Sequence, residues 1–152
     1  GVHSSLAFVL PQWHHDAASG TWVVSSVTER TDLVYIDGLT NARGWRSVLP
    51  GKAVWESQVE LRLPLAEQLL WWTFFFDAAG IWPEPADIAA MKIEDFYFSF
   101  GAGLRFTHPQ FPIRVYLSKG FRVDGGVRWK SGDLDLGAFS LDFVVALGGL
   151  TF

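Results

Sequence analysis

The sequence contains no cysteine, which excludes disulfide bridges and thiolate metal sites. No run of about 18 apolar residues occurs, the length that a helix needs to cross a bilayer. Lys and Arg number 12 against 16 Asp and Glu and form no cluster. Because phosphate binding needs cations gathered on one face, we expect no nucleic-acid partner. Yet 49% of the residues are hydrophobic, with 13 Phe and 8 Trp, so the apolar content is spread over short elements.

The segment Asp95–Thr107 alternates strictly between apolar residues and residues that are mostly polar or small. This period of two is typical of a β-strand with two unlike faces. The segment exceeds the roughly 9–11 residues that a tilted strand needs to cross a bilayer. We therefore interpret it as a transmembrane barrel strand whose apolar face contacts lipid and whose polar face lines a watery lumen. An arginine should then be tolerated better at Ser99 than at Phe100.

Similar patterns predict an all-β chain of about seven antiparallel strands, with no helix. The predicted strands are Val2–Leu10, Thr21–Ile36, Ala53–Leu63, Leu69–Trp82, Asp95–Thr107, Phe111–Val123 and Phe139–Phe152. Their connections are alternately tight and long, and short turns at one rim with long loops at the other are typical of outer-membrane barrels. The exception is Pro11–Gly20, which is long although a short turn is expected there.

Seven strands do not close a barrel. Bacterial single-chain barrels have an even number of strands, at least about eight, and an open edge would leave unpaired backbone groups in lipid. We therefore interpret residues 1–152 as a single membrane-embedded domain that forms part of a larger barrel. Because Gly1–Ser5 has neither the basic nor the apolar region of a signal peptide, we expect the chain to be a mature protein or a fragment.

Several motifs occur in an order that resembles a known family. A long loop carries an Arg-Gly-aromatic motif, the following strands carry a Phe-x-Asp pattern and a Gly-x-Gly pattern, and the chain ends in an aromatic residue. These motifs lie in Asn41–Trp45, Glu60–Leu65, Phe75–Trp82, Gly101–Phe106 and Phe152. Together they resemble the BamA-type outer-membrane insertase superfamily, also called the bacterial surface antigen family.

The resemblance implies the C-terminal part of a sixteen-stranded barrel in the bacterial outer membrane. It implies an outer-membrane protein assembly factor, which folds and inserts β-barrel proteins, with periplasmic domains upstream. The implied partners are nascent outer-membrane proteins and outer-membrane lipid, with accessory envelope lipoproteins as further candidates. The implied mechanism is pairing of an exposed terminal strand with incoming strands, which is ordinary β-augmentation.

The loop motif consists of Arg43, Gly44 and Trp45. An arginine on a long loop is most often a solvated charge. Alternatively, the loop folds into the lumen and the Arg43 guanidinium binds Glu60 and Asp77, which strand parity places on the inner faces of adjacent strands. The resemblance implies the same contact. We expect this contact to fix the loop in place and to have no catalytic role.

The last strand contains a break in its alternation. Phe139 to Leu147 follow one parity, whereas Leu150 and Phe152 follow the other. A bulge at Gly148 and Gly149 would reconcile the two halves, because an extra residue switches the facing of the side chains. We interpret Gly148, Gly149, Leu150 and Phe152 as a loosely held terminal gate strand.

Other functions remain open from the residues alone. Gly20-Thr21-Trp22 is similar to the start of the lipocalins, soluble barrels that bind small ligands, and alternation looks the same whichever face is buried. A passive outer-membrane pore or a secretion translocator would show the same strands. The residues provide no catalytic arrangement of Ser, His and Asp and no metal-ligand spacing. We therefore expect no enzyme activity, no metal and no cofactor.

Overall fold

The computed structural model describes residues 1–25, 33–46, 48, 50–66, 69–108, 112–136 and 140–147. Six strands form the body of one antiparallel sheet: β1 (Val2–Phe8), β4 (Ala53–Ala66), β5 (Leu70–Trp82), β6 (Phe96–Thr107), β7 (Pro112–Val123) and β10 (Ser140–Leu147). Each of them pairs with the next in that order. The short strands β8 (Val127–Trp129) and β9 (Leu134–Asp135) extend the sheet beside β7 and β10. The predicted all-β class and antiparallel sheet are confirmed.

The second predicted strand, Thr21–Ile36, is wrong in its extent. A hairpin of β2 (Gln12–Asp16) and β3 (Thr21–Ser25) forms a separate sheet, and Val34 makes an isolated bridge to Gly51. The cause is local turn chemistry. The Asp16 carboxylate accepts hydrogen bonds from the Ala18 amide and the Ser19 hydroxyl, and Gly20 takes the left-handed backbone conformation at φ 64°.

This hairpin explains why Pro11–Gly20 does not resemble a short turn. Because β1 pairs directly with β4, from Val2 opposite Val59 to Phe8 opposite Ala53, residues 9–52 form one long connection at one end of the sheet. The connections from β5 to β6 and from β7 to β10 leave the same end. The two short connections, from β4 to β5 and from β6 to β7, lie at the other end. We call these ends the long-loop rim and the short-turn rim.

The expectation of no helix is also wrong. Two short 3₁₀ helices, Pro85–Ala90 and Ile93–Asp95, form most of the connection between β5 and β6. Proline suits the first turn of a helix because an N–H group at that position would have no partner within the helix. The Asp87 carboxylate accepts a hydrogen bond from the Glu84 amide. None of the helices in the described ranges has the length and apolar character needed to cross a bilayer.

The burial of the sheet is the inverse of that in a soluble protein. On the inner face, Thr73, Asp77 and Ser99 are fully buried, whereas on the outer face Phe74 and Phe76 are each 43% exposed. Large exposed apolar side chains continue along β4, β6, β7 and β10: Val59, Leu61, Leu63, Phe100, Leu104, Ile113, Leu117, Phe143 and Val145. An apolar exterior around a polar interior is the arrangement expected of a barrel in lipid, and it contradicts the lipocalin alternative, whose interior would be apolar.

Candidate functional site

The loop formed by residues 33–52 lies against the inner face of the sheet, and Asp37 organises its turn. One oxygen of the Asp37 carboxylate accepts the amides of Leu39 and Thr40, each at 2.8 Å, and that of Asn41 at 3.1 Å. The other oxygen accepts the Thr40 hydroxyl at 2.6 Å. Burial alone would raise the pKa of Asp37, but these hydrogen bonds outweigh it and lower the pKa. The turn is therefore held by an ionised carboxylate.

The backbone of the loop motif is sharply bent. Ala42 has φ 41° and Gly44 has φ 95°, and the Gly44 amide donates to the Gly38 carbonyl at 2.9 Å. A Cβ atom at Gly44 would lie 3.0 Å from both the Asp142 carboxylate and the Ser118 hydroxyl. Glycine is thus required here for its conformation and for the close approach of the loop to the sheet.

Arg43 is the centre of the site. Its Nε donates to Asp77 Oδ2 at 2.8 Å and its Nη2 to Asp77 Oδ1 at 2.7 Å, which is the paired geometry that a guanidinium and a carboxylate favour. Its Nη1 reaches Glu60 Oε2 at 3.2 Å, and its backbone amide also donates to Asp77 at 3.1 Å. Only 4% of the Arg43 side chain is exposed, and none of Asp77. The structure therefore brings Arg43, Glu60 and Asp77 together.

Two aromatic rings that the sequence analysis missed also contact the guanidinium. Its central carbon lies 3.6 Å from the Phe75 ring centroid and 4.8 Å from that of Tyr116, at distances that favour cation–π attraction. The two rings meet edge to face at 5.4 Å. Phe75 lies directly across from Gly101 and Tyr116 across from Gly103, and a Cβ on Gly101 would lie 2.8 Å from the Phe75 ring. The two glycines make room for the two rings. The sequence analysis missed Phe75 and Tyr116 because only the strand register places each ring across from a glycine.

The loop motif also contacts the strands on the far side of the sheet. The Trp45 indole N–H donates to the Phe98 carbonyl at 2.9 Å, and the Ser118 hydroxyl donates to the Arg43 carbonyl. Asp142, on β10, accepts Lys130 Nζ at 2.6 Å beside Gly44. One short loop segment thus contacts β4, β5, β6, β7 and β10. The expectation that Ser99 faces a watery lumen is wrong, because Ser99 is completely buried.

The predicted terminal gate strand cannot be placed, because Gly148, Gly149, Leu150 and Phe152 lie outside the described residues, as does Phe139. The part of this strand that is described, β10, pairs with β7 from Asp142 opposite Ser118 to Leu147 opposite Ile113. Within the described ranges, no group of three or more His, Cys, Asp or Glu side chains could hold a metal ion.

Comparison with known proteins gives the family. The family described as "Omp85 superfamily domain" matches residues 17–136, which is more than half of the chain. The chain belongs to the Omp85 superfamily. The resemblance of the loop and strand motifs to BamA-type proteins of this superfamily is therefore confirmed.

A match to one curated relative agrees with this family. Over 120 residues the chain is 30% identical to a "Putative outer membrane protein assembly factor" of Treponema pallidum (strain Nichols). The alignment covers 64% of this chain and 14% of that protein, so the chain spans only a small part of its relative's length. No solved structure matches the chain.

We expect Gly44→Ala to destabilise the protein far more than Gly20→Ala. Both glycines have positive φ, and an alanine in that conformation costs about 1–3 kcal/mol. Only at Gly44 does the added Cβ meet buried neighbours, whereas at Gly20 nothing lies within 4 Å. Denaturant unfolding of the full-length protein in lipid vesicles measures both variants. Equal losses of unfolding free energy would mean that the loop does not depend on its close approach to Asp142 and Ser118.

Proposed function

We propose that the chain is the C-terminal barrel portion of an outer-membrane protein assembly factor, which folds and inserts β-barrel proteins into the bacterial outer membrane. The proposal is supported by membership of the Omp85 superfamily, by the assembly-factor description of the Treponema relative and by the apolar exterior of the sheet. Its partners would be nascent outer-membrane proteins and lipid, with accessory envelope lipoproteins and upstream periplasmic domains completing the machine.

The observation that carries this proposal is the buried contact of Arg43 with Asp77. A passive pore needs an open lumen, and an inward-folded loop held by a desolvated ion pair would obstruct it. An assembly factor, in contrast, has to keep its interior sealed and its sheet rigid while one edge opens. A loop fixed to strands from β4 to β10 meets both needs.

The mechanism that we propose involves no covalent chemistry. β9 pairs with β10 only at Ser140 and Leu141, and in the full barrel the rest of this edge would pair imperfectly with the first barrel strand. An unpaired edge presents backbone N–H and C=O groups that can pair with an incoming strand. Client strands would be added there one by one and released as a closed barrel.

Reconstitution of the full-length protein in lipid vesicles tests the proposal. A urea-denatured outer-membrane barrel protein is diluted into the vesicles, and its folding is followed by protease resistance. We expect faster folding than in protein-free vesicles and little ion conductance. Conductance without accelerated folding would favour the passive pore, and translocation of a polypeptide without folding would favour the secretion alternative.

A further inference from the structure

Below the Arg43 site, towards the short-turn rim, the inner face of the sheet contains a cavity of about 550 Å³. Besides Arg43, its lining includes three arginines from three different strands, Arg62 of β4, Arg105 of β6 and Arg114 of β7. We call these three residues the arginine cluster. Nothing in the assembly mechanism above makes use of them.

Within the described ranges, Glu60 is the only carboxylate that contacts the arginine cluster. Glu60 is shared: its Oε1 lies 2.5 Å from Arg62 Nε and 3.9 Å from Arg105 Nη1, while its Oε2 already binds Arg43. Arg114 makes no ion pair within the described ranges, and its Nε is buried without an acceptor.

The other two carboxylates that line the cavity form no ion pair with Arg105 or Arg114 within the described ranges. Asp37 is used by the amides of its own turn. Glu56 accepts the Ser5 hydroxyl at 2.7 Å and lies 3.7 Å from the His3 ring. Arg105 and Arg114 therefore lie together beside β7, and the carboxylate nearest to them, Glu60, is already shared with Arg43 and Arg62.

The strand register makes this arrangement of arginines costly. Arg105 lies directly opposite Arg114, and like charges in directly opposite positions destabilise a sheet. A buried N–H without an acceptor adds a further penalty. Both costs are removed if an anion binds between the two guanidinium groups, which suit carboxylates through paired hydrogen bonds.

We propose that the arginine cluster binds the carboxylate side chain of an extended acidic peptide segment that enters the barrel from the short-turn rim. Glu60 and Glu56 in the same cavity disfavour a multiply charged phosphate, so a singly charged carboxylate fits better. The cluster lies on the inner face, away from the apolar surface that faces lipid, so a peptide fits better than a lipid headgroup.

The position of the cluster sets the direction of entry. Arg105 lies two residues before the end of β6 and Arg114 two residues after the start of β7, so both flank a short connection. Short turns face the periplasm in outer-membrane barrels. That the peptide belongs to an arriving client rests on the proposed function, whereas the binding of an acidic peptide does not.

Binding to the full-length protein in detergent tests this inference. The probe is a short peptide with blocked ends, an uncharged fluorophore and two aspartates, compared with its asparagine counterpart by fluorescence anisotropy. We expect the aspartate peptide to bind wild type about tenfold or more tightly than it binds Arg114→Gln or Arg105→Gln, because each variant removes a charge-assisted hydrogen bond. Arg128→Gln is the matched control, since Arg128 is an exposed arginine at the opposite rim and should leave binding unchanged.

Several results would overturn the inference. Equal affinity for the aspartate and asparagine peptides, or no binding to wild type, would exclude a carboxylate site. An equal loss in Arg128→Gln would reduce the effect to non-specific attraction. Displacement of the peptide by inorganic phosphate at lower concentration than by acetate would identify a phosphate site instead. Because the readout is equilibrium binding, it can succeed or fail independently of the folding assay that tests the proposed function.

Discussion

Arg43→Ala is expected to lower the free energy of unfolding by about 3–5 kcal/mol, because it leaves the buried Asp77 carboxylate without its partner. Asp77 has no exposed surface, so water cannot replace the two hydrogen bonds that it loses. The Phe75 and Tyr116 rings would also lose the cation that packs on them. Denaturant unfolding of the full-length protein in lipid vesicles measures the loss.

Two control variants separate this effect from the loss of any loop arginine. Arg46 lies in the same loop, but its side chain is 47% exposed and 3.4 Å from an exposed Asp133, so Arg46→Ala should cost no more than about 1 kcal/mol. Arg43→Lys keeps the charge but cannot form the paired contact with Asp77, and it should not restore full stability.

A double-mutant cycle with Asp77→Asn completes the test. The two residues share hydrogen bonds, so their effects should be non-additive by about 0.5–3 kcal/mol. Strictly additive losses would mean that Arg43 and Asp77 contribute independently. Arg43 would then have no role in fixing the loop to β5.

Phe100→Arg is expected to destabilise the protein by about 2–4 kcal/mol if β6 crosses the hydrocarbon region near that residue. Phe100 lies on the outer face and is 37% exposed, so an arginine there would project into lipid. Phe100→Leu keeps an apolar side chain and should cost much less. Both are measured by unfolding in lipid vesicles.

The matched inner-face control changes once the structure is considered. Alternation alone predicts that Ser99→Arg is tolerated, but Ser99 is fully buried, so an arginine there would displace packed side chains. Gln58 instead lines the inner cavity of about 550 Å³, together with Arg62, Arg105 and Arg114. A carboxylate suits that position better than another arginine, so Gln58→Glu should be tolerated better than Phe100→Glu. Equal tolerance at Gln58 and Phe100 would contradict the assignment of the outer face to lipid.

Strand parity was enough to predict part of the fold and part of the site. β6 was predicted almost to its observed ends because its alternation is unbroken, and the inward direction of Glu60 and Asp77 follows from the same parity. Parity does not determine register, however, and the packing of Phe75 and Tyr116 depends on register, since each ring lies across from a glycine of β6.

The hairpin of β2 and β3 was missed for a different reason. Thr21 to Val24 has the composition of any buried strand, and the sequence does not say whether such a strand pairs with a neighbour in the sheet or folds back on Gln12–Asp16. The decisive interactions are the local hydrogen bonds of the Asp16 carboxylate. These local hydrogen bonds compete with long-range strand pairing, and composition alone does not predict which of the two prevails.

The most direct test of the assembly mechanism is a reversible lock on the barrel seam. One cysteine is placed in β10 and one in the first strand of the full-length barrel. Residues 1–152 contain no native cysteine, and any cysteine elsewhere in the full-length protein is first replaced by serine. With the disulfide formed, we expect the protein to stay folded and client folding in vesicles to stop, and reduction should restore it. Undiminished client folding with the seam locked would contradict the account, because no strand could then be added at the edge of β10.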